Sequence, residues 1–268
     1  MRKIKKKKII LITADEIRHR FFKNKVSQFD SFKLSLCIYE DNNKRQSQLI
    51  SKDKFAPYKI KKHFQNRKAY EKKFLKYTKN QKFKEIKIKR GEINHNEKLE
   101  KIIMNINPDF IISYGCSIIK SELINKFKRK FINLHLGLAP YYKGNGTNFW
   151  PIANNEFQFL GGTFMLIDNG IDSGPILHQF RPDLEIKDNI HSIGCKIIFQ
   201  SVKELEKLLM MFNKVKSYRQ KRIKISRIYK RKDFKLSALI KAYSNLKKIR
   251  YYLNYKKKID KKYPIISI

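Results

Sequence analysis

Apolar positions along this chain follow two periods in turn, and the alternation outlines a strand–helix–strand succession. A basic lead-in precedes a short apolar run at residues 8–13, which predicts a first buried strand. Residues 14–29 read as a helix with Asp15 as its N-cap, and 32–39 (FKLSLCIY) as a second strand. Residues 40–96 are dominated by Lys, Asn and Gln. Helical character shows only in their middle, at 61–79, where Phe64, Tyr70 and Phe74 are the candidate anchors, and no chemistry is evident there. A helix at 97–106 ends at Asn107-Pro108. Strands follow at 109–114, 131–135, 162–168 and 175–180, with short helices at 121–128 and 148–155. The last long element is an amphipathic helix over 189–213, with Ile190, Ile193, Ile197, Ile198, Val202, Leu205 and Leu209 at helical spacing. Beyond residue 214 the pattern weakens to one alternating stretch at 222–229 and one helix at 235–253. Strands alternating with helices imply an α/β domain with a mostly parallel sheet flanked by helices. The expected division is a catalytic domain at 1–213 and a small basic C-terminal extension at 214–268.

Composition changes this picture mainly through charge. The 268 residues carry 62 Lys+Arg against 23 Asp+Glu, a formal net charge of +39. An acidic partner therefore enters consideration: nucleic acid, anionic lipid or a phosphorylated small molecule. The excess is mostly Lys, whereas surfaces that read bases or clamp phosphates favour the Arg fork. It is also unevenly placed. Residues 131–180 contain one basic residue, Lys143, and three acidic ones, whereas 214–268 carry a net +18. Cys37, Cys116 and Cys195 are widely spaced and form no CxxC pair. They read as free thiols of a reducing compartment, with no zinc site. No apolar stretch approaches the length of a membrane helix, so a cytoplasmic location is expected.

The candidate chemistry lies in the weakly charged centre. In an open α/β sheet, ligands bind at the carboxyl ends of the strands. Asn133 and His135 sit at such an end, and their i, i+2 spacing puts both side chains on one face. Downstream, Asp168-Asn169-Gly170-Ile171-Asp172-Ser173-Gly174 frames two acids with glycines, too few ligands for calcium. Asn can donate to a developing oxyanion, His can carry a proton or a charge, and Asp can orient the His and favour its charged form.

The whole segment resembles the formyltransferase family that uses 10-formyltetrahydrofolate. Its mark is N-x-H, a loop ending P-x-Y-x-G, then T-G-x-T and D-x-G-x-D-x-G. This chain supplies Asn133, His135, Pro140, Tyr142, Gly144, Gly161, Thr163, Asp168, Gly170, Asp172 and Gly174, with Leu160 in place of the first Thr. The resemblance implies a formyltransferase-like, Rossmann-type fold and a catalytic trio of Asn133, His135 and Asp172. It places the folate against Cys116, Ser117, Ile118 and Ile119 and against the backbone of Asp168, Asn169 and Gly170, although Ile119 replaces the family's Pro. The implied formyl donor is 10-formyltetrahydrofolate, with no metal. The acceptor implied by NLHLGLAPYYKGNGTNFWPIANNE is an amino-sugar nucleotide of surface-polysaccharide synthesis. Phe149 and Trp150 are candidates to pack its base or sugar, and Arg18, His19 and Arg20 to meet its phosphate, against core packing and a solvated helix face as the plain alternatives. The place after the first strand lacks the glycines of a phosphate nest, which disfavours glycinamide ribonucleotide. Two alternatives stay open: a methionyl-tRNA formyltransferase-like enzyme, and a basic nucleic-acid-binding protein on an inactive formyltransferase fold. A homodimer is also compatible with the sequence. His178, His191, His63 and His95 carry no motif.

Overall fold

The computed structural model describes residues 6–41, 46–78, 83–221 and 223–268. Arg222, where the last alternating stretch was expected to begin, lies outside them. The elements run β1 (Lys7–Ala14), α1 (Ile17–Val26), β2 (Phe32–Glu40), α2 (Gln46–Lys52), α3 (Tyr58–Phe74), β3 (Lys84–Ile88), α4 (Glu97–Ile106) and β4 (Phe110–Tyr114). Then come α5 (Ser121–Lys126), β5 (Phe131–His135), β6 (Tyr142–Gly144), α6 (Trp150–Ala153), β7 (Gly162–Leu166), β8 (Ile176–Phe180), α7 (Ile190–Met210), β9 (Arg227–Tyr229), α8 (Leu236–Leu246) and α9 (Ile249–Lys262).

The main sheet has the order β3-β2-β1-β4-β5-β7-β8. Pairings from β3 through β5 are parallel, and β5-β7 and β7-β8 are antiparallel. Both faces of β1 are covered, which explains its unbroken apolar run. Ile9 and Leu11 join a core with α1 and α7, whereas Ile10 and Ile12 join a second core with α4 and α5. The chain leaves β1 outward to β2 and β3, then crosses back to β4. The crevice above β1 and β4 is therefore the topological switch point of the sheet.

Helix ends follow local chemistry. Asn96 caps α4 by accepting from Leu99 N, and Asn189 caps α7 by accepting from His191 N and Ser192 N. The N-cap of α1 is Glu16, not Asp15, in a capping box with His19. Asp15 instead pairs with Arg20 at 2.7 Å. The pattern missed β3 (KEIKI) because it is an edge strand with exposed lysines, and only Ile88 is buried in it.

The tail departs from its expected form. Its strand shortens to β9, and its helix breaks at Lys247-Lys248 into α8 and α9. β9 pairs in parallel with β6 in a second, two-stranded sheet. Leu239, Ala242, Ile249 and Tyr252 are buried in the same core as α7. The last residues run beside β8, where Gln179 N donates to Ile266 O at 2.6 Å. No helix among the described residues is long and apolar enough to cross a membrane.

Candidate active site

β5 ends the way its spacing predicts. His135 is buried at its tip, and Asn133 stands partly exposed two residues earlier. Asp172, on the β7–β8 connection, reaches both. Its Oδ2 lies 3.2 Å from His135 Nδ1, and its Oδ1 accepts from Asn133 Nδ2 at 3.2 Å. On the other side of the ring, His135 Nε2 donates to Tyr142 O at 2.8 Å. Both ring nitrogens thus face oxygen atoms. Asn133 Oδ1 accepts from Ser113 Oγ at 3.0 Å, which fixes the amide so that its NH2 faces Asp172. One amide proton is taken there and the second is free for a ligand in the cleft.

The motif glycines and hydroxyls hold this geometry. Gly144 N donates to Asp172 Oδ2 at 2.8 Å. Gly144 has φ +87°, and a Cβ there would stand 2.2 Å from Tyr229 O of β9, so only glycine lets the two strands meet. Thr163 Oγ1 donates to Gly137 O and accepts from Ala139 N, tying down the loop after β5. Asp168 does not face outward: it accepts from Gly170 N and Ser173 Oγ and shapes its own turn. The tail takes part as well. Gln220 Nε2 donates to Asp172 O at 3.0 Å and Gly174 O at 2.8 Å. Arg227 clamps Glu156 at 2.7 and 3.0 Å, and Glu156 accepts from the Tyr142 hydroxyl.

Asn133, His135, Gly144 and Asp172 border a cleft of about 510 Å³. Cys116, Ser117, Ile118, Ile119, Asp168 and Gly170 line it together with Asn133, His135 and Asp172. Asn169 is exposed and does not itself line it, while its neighbours Asp168 and Gly170 do. The 116–119 loop is braced by two residues the sequence reading passed over. Glu40, fully buried at the end of β2, accepts from Ser117 N and Gly91 N. Asn94 donates to Ile118 O and accepts from Lys120 N.

The profile of the Formyl transferase family matches residues 41–209, which include all of the groups just described except Glu40, Gln220, Arg227 and Tyr229. The chain belongs to the formyl transferase family. It is 32% identical over 116 residues to the methionyl-tRNA formyltransferase of Thermodesulfovibrio yellowstonii, covering 40% of this chain and 37% of that protein. It is 30% identical over 117 residues to the GDP-perosamine N-formyltransferase of Brucella melitensis, covering 43% and 45%. The chain thus spans less than half the length of these relatives. Among solved structures it shares its fold with the N-formyltransferase of Helicobacter canadensis in complex with folinic acid and dTDP-3-aminofucose. That match has a TM-score of 0.52 at 20% identity, over 91% of this chain and 81% of the other.

For a formyl transferase of this family, the opposite wall of the cleft is the less expected part. α1, α3 and α7 place Glu16, Arg18, His63, Arg67, Glu71 and His191 along it. Arg18 donates to both oxygens of Glu71 at 2.9 and 3.1 Å and to Glu16 Oε2 at 2.7 Å. Burial alone would raise the Glu16 carboxyl. The charges of Arg18, His19 and Arg67 and a hydrogen bond from Ser47 outweigh it and hold the group well below the ordinary range. His63 and His191 both contact the Tyr243 hydroxyl at 3.3 Å. Burial pushes both imidazoles down, His63 to about 3 and His191 to about 4, with neighbouring positive charge adding to the effect. Of the three residues expected near a phosphate, Arg18 and His19 line the cleft and Arg20 turns away to Asp15. Phe149 borders the cleft, while Trp150 is core, stacked on Tyr229 at 4.0 Å. His178 is structural, paired with Glu204 at 2.9 Å. Cys37 and Cys195 are buried free thiols, each pushed up to about 12 chiefly by burial.

Proposed function

We propose that this chain moves the formyl group of 10-formyltetrahydrofolate to the amine of an amino-sugar nucleotide. The observation that carries the reading is the Asn133–Asp172–His135 set, placed along the wall of a cleft of about 510 Å³. The donor fits the side built from the 116–119 loop and the 168–170 turn. There exposed Ile118 offers an apolar platform, and Glu40 and Asn94 hold the backbone in place.

The acceptor amine enters deprotonated and attacks the formyl carbon. Negative charge develops on the formyl oxygen, and the second amide proton of Asn133 is placed to bind it. His135, anchored through Nε2 to Tyr142 O and with Nδ1 3.2 Å from Asp172, keeps the Asp172 carboxylate in place beside the reacting centre. As the new C–N bond forms, the nitrogen loses a proton to Asp172, directly or through water. That proton ends on N10 as the C–N10 bond breaks, so the products are a formamide and tetrahydrofolate.

The amino-sugar reading draws support from the Brucella relative and from the fold shared with the Helicobacter enzyme. Methionyl-tRNA is the second acceptor to test, because the Thermodesulfovibrio relative bears that activity in its name. Incubating the protein with 10-formyltetrahydrofolate and a panel of amino-sugar nucleotides, with charged methionyl-tRNA in parallel, decides between them. A formylated sugar nucleotide is expected, and formylated tRNA with no formylated sugar would reverse the assignment.

A further inference from the structure

Two arginines face the α1–α3 wall of the cleft, and they differ in how they are used. Arg18 is fully engaged by Glu16 and Glu71. Among the described residues Arg67 has no hydrogen bond: its closest carboxylate oxygens, on the same two residues, stand at 3.8 Å. Its side chain is 30% exposed, and its guanidinium lies over the Phe64 ring at 4.6 Å, which restricts its orientation. Burial, followed by the charge of Arg18, pulls its proton affinity down to about 10, so an arriving anion would relieve an unfavourable environment. The two carboxylates are satisfied without it, because Glu16 also accepts from Ser47 at 2.7 Å.

The usual place for an anion in this part of an α/β sheet is closed. The N-terminus of α1 follows β1, where a phosphate would meet free backbone N–H groups. Here Glu16 caps that helix with its own carboxylate. Nearby, His63 and His191 are neutral at physiological pH and offer imidazole nitrogens but no charge. Phe149, which packs on His63 at 5.9 Å, continues through the 144–148 loop to Gly144 and hence to Asp172. A guanidinium held only by long ion pairs is thus connected to the reacting centre along one continuous wall.

We propose that Arg67 is the residue that binds the diphosphate of the acceptor, replacing a backbone phosphate nest by a side-chain fork. The inference rests on the amino-sugar nucleotide reading above and deepens it. Its planar N–H pairs match two phosphate oxygens at once, and exchange of the 3.8 Å carboxylate contacts for direct hydrogen bonds provides the gain. His63 and His191, being neutral, would then accept from or donate to sugar hydroxyls without repelling the Arg67 charge.

Calorimetric titration with UDP, dTDP and GDP tests the site without any formyl transfer. The wild-type protein is expected to bind at least one of them. Arg67→Ala should weaken that Kd about 30-fold or more, and Arg67→Lys, which keeps the charge but not the fork, about tenfold. In turnover with the matching amino-sugar nucleotide, the loss should appear in KM far more than in kcat. Thermal unfolding checks that both variants fold, and Arg67→Lys serves if Arg67→Ala does not. An unchanged diphosphate Kd in the folded variants overturns the role of Arg67 while leaving the sugar-nucleotide reading intact. A wild-type protein that binds no nucleoside diphosphate and formylates only tRNA overturns both.

Discussion

His135 has an acceptor on each side of its ring, and most of the family motif exists to supply them. Tyr142 O accepts from Nε2, and Asp172 Oδ2, steadied by Gly144 N, stands 3.2 Å from Nδ1. Replacing Asp172 by Asn keeps the shape but removes the negative charge that pairs with the ring. Transfer in Asp172→Asn should fall at least about a hundredfold with little change in melting temperature, as read by a formylation assay beside a thermal scan. Gly144→Ala should fail differently. Its Cβ would need space that Tyr229 O already occupies at 2.2 Å, in a backbone region with φ +87°. Separation of β6 from β9 would cost about 2 kcal/mol or more and pull Gly144 N off Asp172, so melting temperature and activity should drop together. A Gly144→Ala protein with wild-type values for both would contradict the close approach described here.

At the scale of elements, α3, α7 and α8 bring His63, His191 and Tyr243 together next to the Arg18–Glu71 pair. Both histidines are pushed below their ordinary value, mainly by burial. The unfolded chain therefore binds protons that the folded chain refuses, and stability present above about pH 6.5 is lost as pH falls toward 4. The limiting slope is about 1.4 kcal/mol per pH unit per histidine. Glu16, held low, adds its own loss only in stronger acid, below its ordinary value of 4.5. Denaturant unfolding at pH 7.5 and 5.0 should show the first loss, and His63→Phe, set among Phe64, Phe149 and Phe234, should reduce its slope by about half. Equal stability of the wild type at the two pH values would refute the buried-neutral assignment. This cluster also marks the limit of what the sequence reveals. The buried strands β1, β4 and β5 and the caps of α4 and α7 are legible because their signals are local: an apolar run, an Asn before a helix, a Pro after one. Asn133, His135 and Asp172 are legible because N-x-H and D-x-G-x-D are short. Glu40, Arg67, Glu71 and His63 belong to a Lys-rich stretch and act through contacts with distant segments, such as Arg18 with Glu71 across 53 positions. Nothing in their neighbours along the chain distinguishes them from a solvated helix face.

At the scale of the whole molecule, the tail is where charge misleads most. Residues 214–268 carry a net +18 and read as an appendage. Yet Leu239, Ala242, Ile249 and Tyr252 are at most 4% exposed and sit in the main core. Their long cationic neighbours occupy the outer faces of α8 and α9, so a few apolar positions at helical spacing are diluted in the composition but suffice for packing. The same segment supplies β9 to pair with the loop that holds His135, Arg227 to clamp Glu156, and Gln220 to fix the carbonyl of Asp172. A chain ending at residue 213 would expose the partners of those four buried side chains. The apolar loss alone is roughly 5–8 kcal/mol, comparable with the whole stability of an ordinary domain. It should therefore lose its cooperative unfolding transition and its transfer activity. Gln220→Ala, which removes the two hydrogen bonds to the Asp172 turn and one to the Met165 sulfur but takes no apolar side chain out of the core, should keep the transition and lose about tenfold in rate as the Asp172 turn loosens. If the shortened chain instead melts cooperatively and transfers formyl groups at the full-length rate, the extension is a separable appendage and the site is complete without it.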